Sequence, residues 1–444
     1  MYLVYNSIAV ERLHKPAVVI YNKGFTNDAH SAAANKGLPV LRGVAVNMPP
    51  ECSVEETIQV SITAVMDTIF AALTQPLTAE ETSPKPKEIE KPSRIVFKGS
   101  LGEVNRFFYK RGWTDGLPIM PPTEEAVNEM LRGTDLPANH LVGKIESRWG
   151  KATVEKIAIN AVMAGALPTY MPVLIAGVKC MLDPDSEYGT CAFSTSSRSP
   201  FFIINGPIRK ELNVNSGVGA LSPGHISNAT IGRAMAFITK NIGGVRPGLE
   251  DMGSLGNPAK YSMVIAEDEE GSPWEPLHVE RGFNKEDSTI TLYYPNSYIG
   301  QKVYSTDSKG VLNTVIFNTP PGRGTLCLVI PATAAKWLGD DGWTKEELKR
   351  YIMEYARVPA YKKQYIKITP KILKPFNETD LVPIFPYHHQ LMVIVAGGVH
   401  PRIGLILGTG AEPTPCFATQ KVELPSHWES LVKKYKDIVP TYVR

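Results

Sequence analysis

At 444 residues the chain is too long for one ordinary core, so two domains are the expectation. Its 43% apolar and 20% charged residues make a globular composition, and a net charge of +3 spread over dispersed basic residues argues against nucleic acid or a membrane surface as partner. No apolar run approaches the roughly 20 residues of a membrane span, and the start, MYLVYNSIAVERLHK, lacks a signal-peptide pattern.

Residues 1–75 have the rhythm of a small α/β domain. A helix is expected over 6–14, a buried strand over 17–21 (AVVIY), a helix over 27–35 stopped by Gly37, and a second strand over 40–46. Ser53, with Glu56 at the capping-box position, opens a long helix ending near Leu73. Strands separated by helices imply a parallel pair. Both strands read as apolar on both faces, the pattern of interior strands, and two such strands rarely stand alone. The segment 74–93, rich in Pro, Glu and Lys, reads as a semi-rigid linker, which sets domain limits of 1–75, 76–94 and 95–444.

The larger domain reads as α+β. Helices are expected over 101–111, from Thr123, over 153–165 and over 170–181, with GWTDGLPIMPP (112–122) as a turn-dense candidate pocket lining. Its centre is 201–283. A buried strand, FFII, ends at the turn Asn205-Gly206-Pro207. A loop of small residues, 216–224, leads to a helix over 229–241 capped by Ser227 or Asn228 and stopped by Gly243-Gly244. A second strand, 261–265, runs into Glu267-Asp268-Glu269-Glu270, and Trp274, Glu275, His278, Glu280 and Arg281 follow within eight residues. Further strands are expected over 289–294, 326–330 and 391–396, and a helix over 344–355.

Two kinds of chemistry are open to these residues. Free amides at a helix N-terminus favour an anion, so Ser216, Gly217, Gly219, Asn228 and Arg233 are candidates to hold a carboxylate or phosphate, with Asn205, Gly206, Trp274 and Arg281 beside them. Gly397-Gly398 with His400 is a second candidate nest. Glu267 and Glu270 follow an apolar strand, and His278 and Glu280, two apart, would share one face of a strand. The four are candidates for proton transfer or, alternatively, ligands of a divalent metal. A structural salt-bridge network involving Arg281 is the bland alternative. The cysteines, Cys52, Cys180, Cys191, Cys327 and Cys416, are scattered and odd in number, which favours reduced thiols in a cytoplasm. Only Cys52 precedes an expected helix start, where a thiol is activated.

The stretch from Ile8 to Thr57, and then GWTDGLPIMPPT, TVEKIAINAVMAG, INGPIRKELNVNSGVGALSPG, NATIGRA, PWEPLHVERGF, DGWTKEEL and VAGG, resemble the UGSC family of (seleno)proteins over most of the chain. The resemblance implies that residues 1–75 are the second half of a small parallel-sheet α/β domain, incomplete here, followed by a linker and a larger α+β domain, and it implies thiol or selenol redox chemistry by analogy. The family's Cys- or selenocysteine-Gly-Ser-Cys loop would fall at or just before Met1, and Glu51-Cys52-Ser53 does not match it. The expectation is a cytoplasmic, reductase-type subunit acting on a small anionic organic substrate. Its reactive thiol or selenol would come from a small partner subunit, or else the chain would pair as a homodimer through its N-terminal strands. A hydrolase, hydratase or lyase, and a non-catalytic scaffold, are the alternatives.

Overall fold

The computed structural model describes residues 2–38, 40–48, 54–82, 93–321, 324–362, 377, 379–385, 387–408 and 416–439. The chain is a mixed α/β protein, and no single described helix is long and apolar enough to cross a membrane.

Two four-stranded sheets form the centre of the larger part. The first contains β5 (Phe201–Asn205), β6 (Val264–Ala266), β7 (Thr289–Tyr293) and β14 (Phe417–Lys421), in the order β14-β7-β5-β6. In it β5 and β6 run parallel, and the other pairs are antiparallel. The second contains β8 (Ser297–Lys302), β9 (Thr325–Ile330), β12 (Leu391–Val395) and β13 (Arg402–Gly408), in the order β12-β9-β13-β8, with β12 and β9 parallel. Two short hairpin-like pairs complete the strands, β3 (Leu141–Ile145) with β4 (Gly150–Thr153), and β10 (Arg357–Pro359) with β11 (Leu381–Pro383).

The apolar runs follow from how these sheets stack. Alternate residues of a strand face opposite sides. Phe201 and Ile203 meet Ile265, Tyr293 and Phe417 of their own sheet and Cys327, Val329, Met392, Ile394 and Ile406 of the other, in one core between the sheets. Phe202, Ile204, Ile290 and Leu292 point the other way, into helices α5 (Val154–Ala164), α6 (Met171–Leu182) and α7 (Ile226–Phe237). Leu326, Leu328, Val393 and Leu405 likewise face α9 (Ser308–Asn318), α10 (Ala332–Asp340) and α11 (Lys345–Tyr355). The result is four layers, helices–sheet–sheet–helices. Every central strand is covered on both faces, so none needs polar alternation.

The N-terminal part has its own small core, in which Val4 and Ile8 of α1 (Tyr2–Glu11) pack on Val19 of β1 (Val19–Asn22) and on Ala29, Ala32 and Ala33 of α2 (Thr26–Asn35). As expected, β1 pairs in parallel with β2 (Gly43–Val46), in a sheet that among the described residues holds these two strands. The interior-strand expectation needs correction for β2. Val44 and Val46 are buried while Gly43 and Ala45 are exposed, because only one face meets helices. The single long helix is also two: α3 (Glu55–Thr63) and α4 (Met66–Thr74) meet at 53°. Ser53 and Cys52, on which the cap and the activated thiol rested, lie outside the described residues.

The tip of the β3–β4 hairpin joins the two parts. Tyr5 donates to the carbonyl of Ser147 (2.8 Å), Ser31 donates to Glu250 (2.8 Å), and Lys36 lies 4.1 Å above the Trp149 ring. Ser147 (φ 78°) and Trp149 (φ 55°) occupy the left-handed region that non-glycine residues rarely adopt, which marks the tip as strained.

Candidate functional site

The predicted residues separate into three places. The first is the carboxyl end of the parallel pair β5–β6, the end of the strands at which ligands bind in open α/β sheets. Glu267 is fully buried at the end of β6. Its carboxylate accepts from Asn205 Nδ2 (2.5 Å) and the amide of Leu277 (2.7 Å), and lies 3.4 Å from Lys345 Nζ. Glu269 accepts from Asn205 Nδ2 (3.1 Å), the Gly206 amide (2.6 Å) and Arg209 (3.1 Å). Gly206 has φ 82°, and a Cβ there would lie 2.1 Å from the carbonyl of Asp287, so the turn demands glycine. Glu270, more exposed, accepts two bonds from Arg209 (2.6 and 2.9 Å) and pairs with Lys210 (2.7 Å). Those bonds, Arg209's first, pull its carboxyl down to about 2. Burial opposes the Arg209 charge, but the bonds from Glu270 and Glu269 outweigh it and raise the guanidinium value.

His278 and Glu280 lie not on a strand but on a single helical turn, α8 (Leu277–Glu280), which starts after Pro276. They therefore do not share a strand face. His278 is fully buried, with Nδ1 3.9 Å from Glu269 and Nε2 3.3 Å from the Lys285 carbonyl. Glu280 pairs with Lys349 and, at 3.6 Å, with Lys345. The four predicted acid/base residues are thus in one neighbourhood. Four glutamates meet four cations, Arg209, Lys210, Lys345 and Lys349, three of them buried. Trp274 and Arg281 stand at its margin, Trp274 donating to the Trp343 carbonyl (2.6 Å) and Arg281 to that of Phe417 (2.8 Å). Burial pulls the Arg281 guanidinium value down.

The second place is the loop before α7. Ser227 and Asn228 are not its caps: they lie in the first turn, and His225 precedes it. Asn228 instead ties the loop to β6. It accepts from the Asn215 amide (2.9 Å) and donates to the carbonyls of Val264 (3.0 Å), Asn215 (3.2 Å) and Ala220 (3.3 Å). The Gly217 amide bonds to Asn215 Oδ1 (2.9 Å), Gly219 accepts from Ser222 N (2.7 Å), and Ser216 accepts from the Gly397 amide (2.7 Å). Gly398 abuts Val218, and His400 is exposed. The two glycine segments meet each other.

The third place is a cavity of about 740 Å³ at the opposite, amino end of β5. The turn-dense segment lines it through Gly112, Thr114, Asp115 and Gly116, as expected. Arg233, predicted to serve the loop at 216–224, holds this segment instead, bonding both oxygens of Asp115 (2.7 and 2.9 Å) and the Pro118 carbonyl (2.8 Å). Three cations line the cavity: Arg198, Lys240 and Lys260. Arg198 donates to Cys191 Sγ (2.9 Å), Lys260 pairs with Asp251 (2.5 Å), and Lys240 donates to the Thr114 carbonyl. Phe237, Tyr261 and Tyr294 supply aromatic surface. Polar anchors in a largely apolar hollow are what a small-ligand site requires. Sequence reading missed Arg198, Lys240, Lys260 and Asp251. The one signal available was the Gly-, Asn- and Ser-rich run at 253–257, a loop composition typical of binding segments.

The four described cysteines are all buried, and burial pushes the Cys191 thiol up to about 12 and those of Cys180 and Cys327 further up. Among the described residues no group of three or more His, Cys, Asp or Glu is arranged to hold a metal ion. No family model matches the chain, and no curated protein matches it.

Proposed function

We propose that this chain is the substrate-binding subunit of a thiol- or selenol-dependent enzyme acting on a small anionic organic molecule, and that the substrate sits in the cavity at the amino end of β5. The observation that carries this reading is the lining itself. Three cations face two carboxylates, and one of these, Asp115, is already held by Arg233 from outside the lining. The balance favours a bound anion against aromatic walls. The buried cysteines with raised thiols support a reactive thiol or selenol from a partner chain, since the thiolate is the nucleophile. The sheet β1–β2, in which among the described residues each strand has a partner strand on one side only, supports pairing with that small subunit, or with a second copy.

Calorimetric titration with small mono- and dicarboxylates tests the binding claim. Binding to the wild type, weakened about tenfold by Lys260→Ala, is expected; that is roughly 1.4 kcal/mol. If no member of the panel binds, the reading fails. Light scattering tests the partner: a stable monomer that recruits no thiol-bearing subunit from its own cell extract removes that part.

A second reading is acid/base chemistry at the glutamate cluster, by a hydrolase, hydratase or lyase with or without a divalent metal. The observation favouring it is the buried His278 ring, whose Nδ1 has no hydrogen-bond partner among the described residues and lies 3.9 Å from Glu269. Elemental analysis of untagged protein tests its metal version, which requires a stoichiometric divalent ion that Glu280→Ala removes.

A further inference from the structure

Helix α7 does not end in a capping residue. Its hydrogen bonding continues into a π turn, Ile238–Ile242. Such turns are rare and frequently mark functional positions. This one carries Lys240, which lines the cavity. The turn is clamped on its far side: Asn241 Nδ2 donates to Asn160 Oδ1 (2.8 Å) and to the Trp113 carbonyl (3.1 Å).

The other charged groups of the cavity have these partners. Asp115 is held by Arg233, Lys260 by Asp251, and Arg198 by the Cys191 sulfur. Among the described residues no carboxylate forms an ion pair with Lys240, whose bonded neighbour is the neutral Thr114 carbonyl. Phe237, Ala236 and Val245 add apolar surface to the same cavity. Burial lowers the Lys240 ammonium value, Asp115 partly opposing it. A lysine in an apolar hollow gives up its proton readily, and the free amine is a nucleophile toward carbonyl carbon.

We propose that Lys240 is the nucleophile of this cavity and that the substrate is a small oxo acid. The amine nitrogen bonds the carbonyl carbon, the carbon–oxygen bond breaks, and the oxygen leaves as water with the two amine hydrogens, giving an imine. Arg198 and Lys260 hold the acid's carboxylate. This rests on the cavity being a substrate site.

The full-length protein is incubated with pyruvate and cyanoborohydride, which reduces an imine to a stable secondary amine, and the adduct is mapped by peptide mass spectrometry. The expected result is labelling at Lys240 at least tenfold above that at exposed Lys336, abolished by Lys240→Arg without a change in melting temperature. Removing the Asp115 charge with Asp115→Asn shifts the labelling profile to lower pH, because that charge favours the ammonium. Equal labelling of Lys240 and Lys336, or a shift to higher pH, overturns the assignment. Pyruvate that binds by calorimetry but leaves Lys240 unlabelled overturns the imine and spares the binding site. Should Lys240→Arg fail to fold, Asp115→Asn and the wild-type labelling ratio still decide.

Discussion

The two ends of the sheet containing β5 both gather charges and arrange them in opposite ways. At the carboxyl end, glutamates and cations neutralise one another, half of them buried. At the amino end, cations line an open hollow, and one of them rests on a carbonyl. Charge removed from water must be matched, by a neighbour or by a ligand. The glutamate cluster is matched from within, and the cavity sets three cations against two carboxylates, one of them already held by Arg233. A run of acids after a strand therefore does not by itself mark where a substrate goes.

The largest effect that would test this contrast is at Glu267. Replacing it with alanine leaves the buried Lys345, among the described residues, with only Glu280, 3.6 Å away, and should cost about 3 kcal/mol, read by urea denaturation. Lys260→Ala, at the open end, should cost about 1 kcal/mol or less, because its half-buried pair borders solvent. Equal losses would erase the distinction between the two ends.

A smaller effect is expected in acid. The folded protein holds the Glu270 carboxyl at about 2 against an ordinary 4.5. A depressed value means a contribution present above about pH 4.5 that is lost as pH falls toward 2. Carbon-detected NMR should find Glu270 still ionised at pH 3, and Arg209→Met should return its titration toward the ordinary range. Glu270 already protonated at pH 3 would show the network to be loose.

The smallest effect calibrates the others. Lys336 and Asp340 form an exposed pair one turn apart on α10, at 2.7 Å. Lys336→Ala should cost only about 0.3 kcal/mol. A loss comparable to that at Glu267 would mean that burial does not set the scale here.

The layers were legible in the sequence wherever burial is two-sided. FFIIN, TITLY and LMVIV read as strands because both faces of each sheet are covered. The helix from Thr344 was legible because Thr344 and Glu347 make a complete capping box. The helical turn at His278 was not read, although Pro276 just before it is a helix-start signal, because the alternation around Glu280 suggested a strand. The cavity lay beyond reach for a different reason. Its cations come from residues 198, 240 and 260, on three segments that only the packing of α7 and the loops around it brings together. No spacing encodes that meeting.

The hairpin tip at 147–150 has a mechanical meaning. On one side it bears on Tyr5 and Lys36; on the other, the Arg148 amide bonds the Gly243 carbonyl (2.9 Å), and a side chain on Gly150 would collide with the backbone of Ile242, the last residue of the turn that carries Lys240. It works as a strut between the N-terminal sheet and the cavity wall. If a partner docks on that sheet and a ligand fills the cavity, this strut is the path by which each would change the other's affinity, both by the same factor. Occupancy and docking would then be read off each other, each tightening or loosening as the other fills.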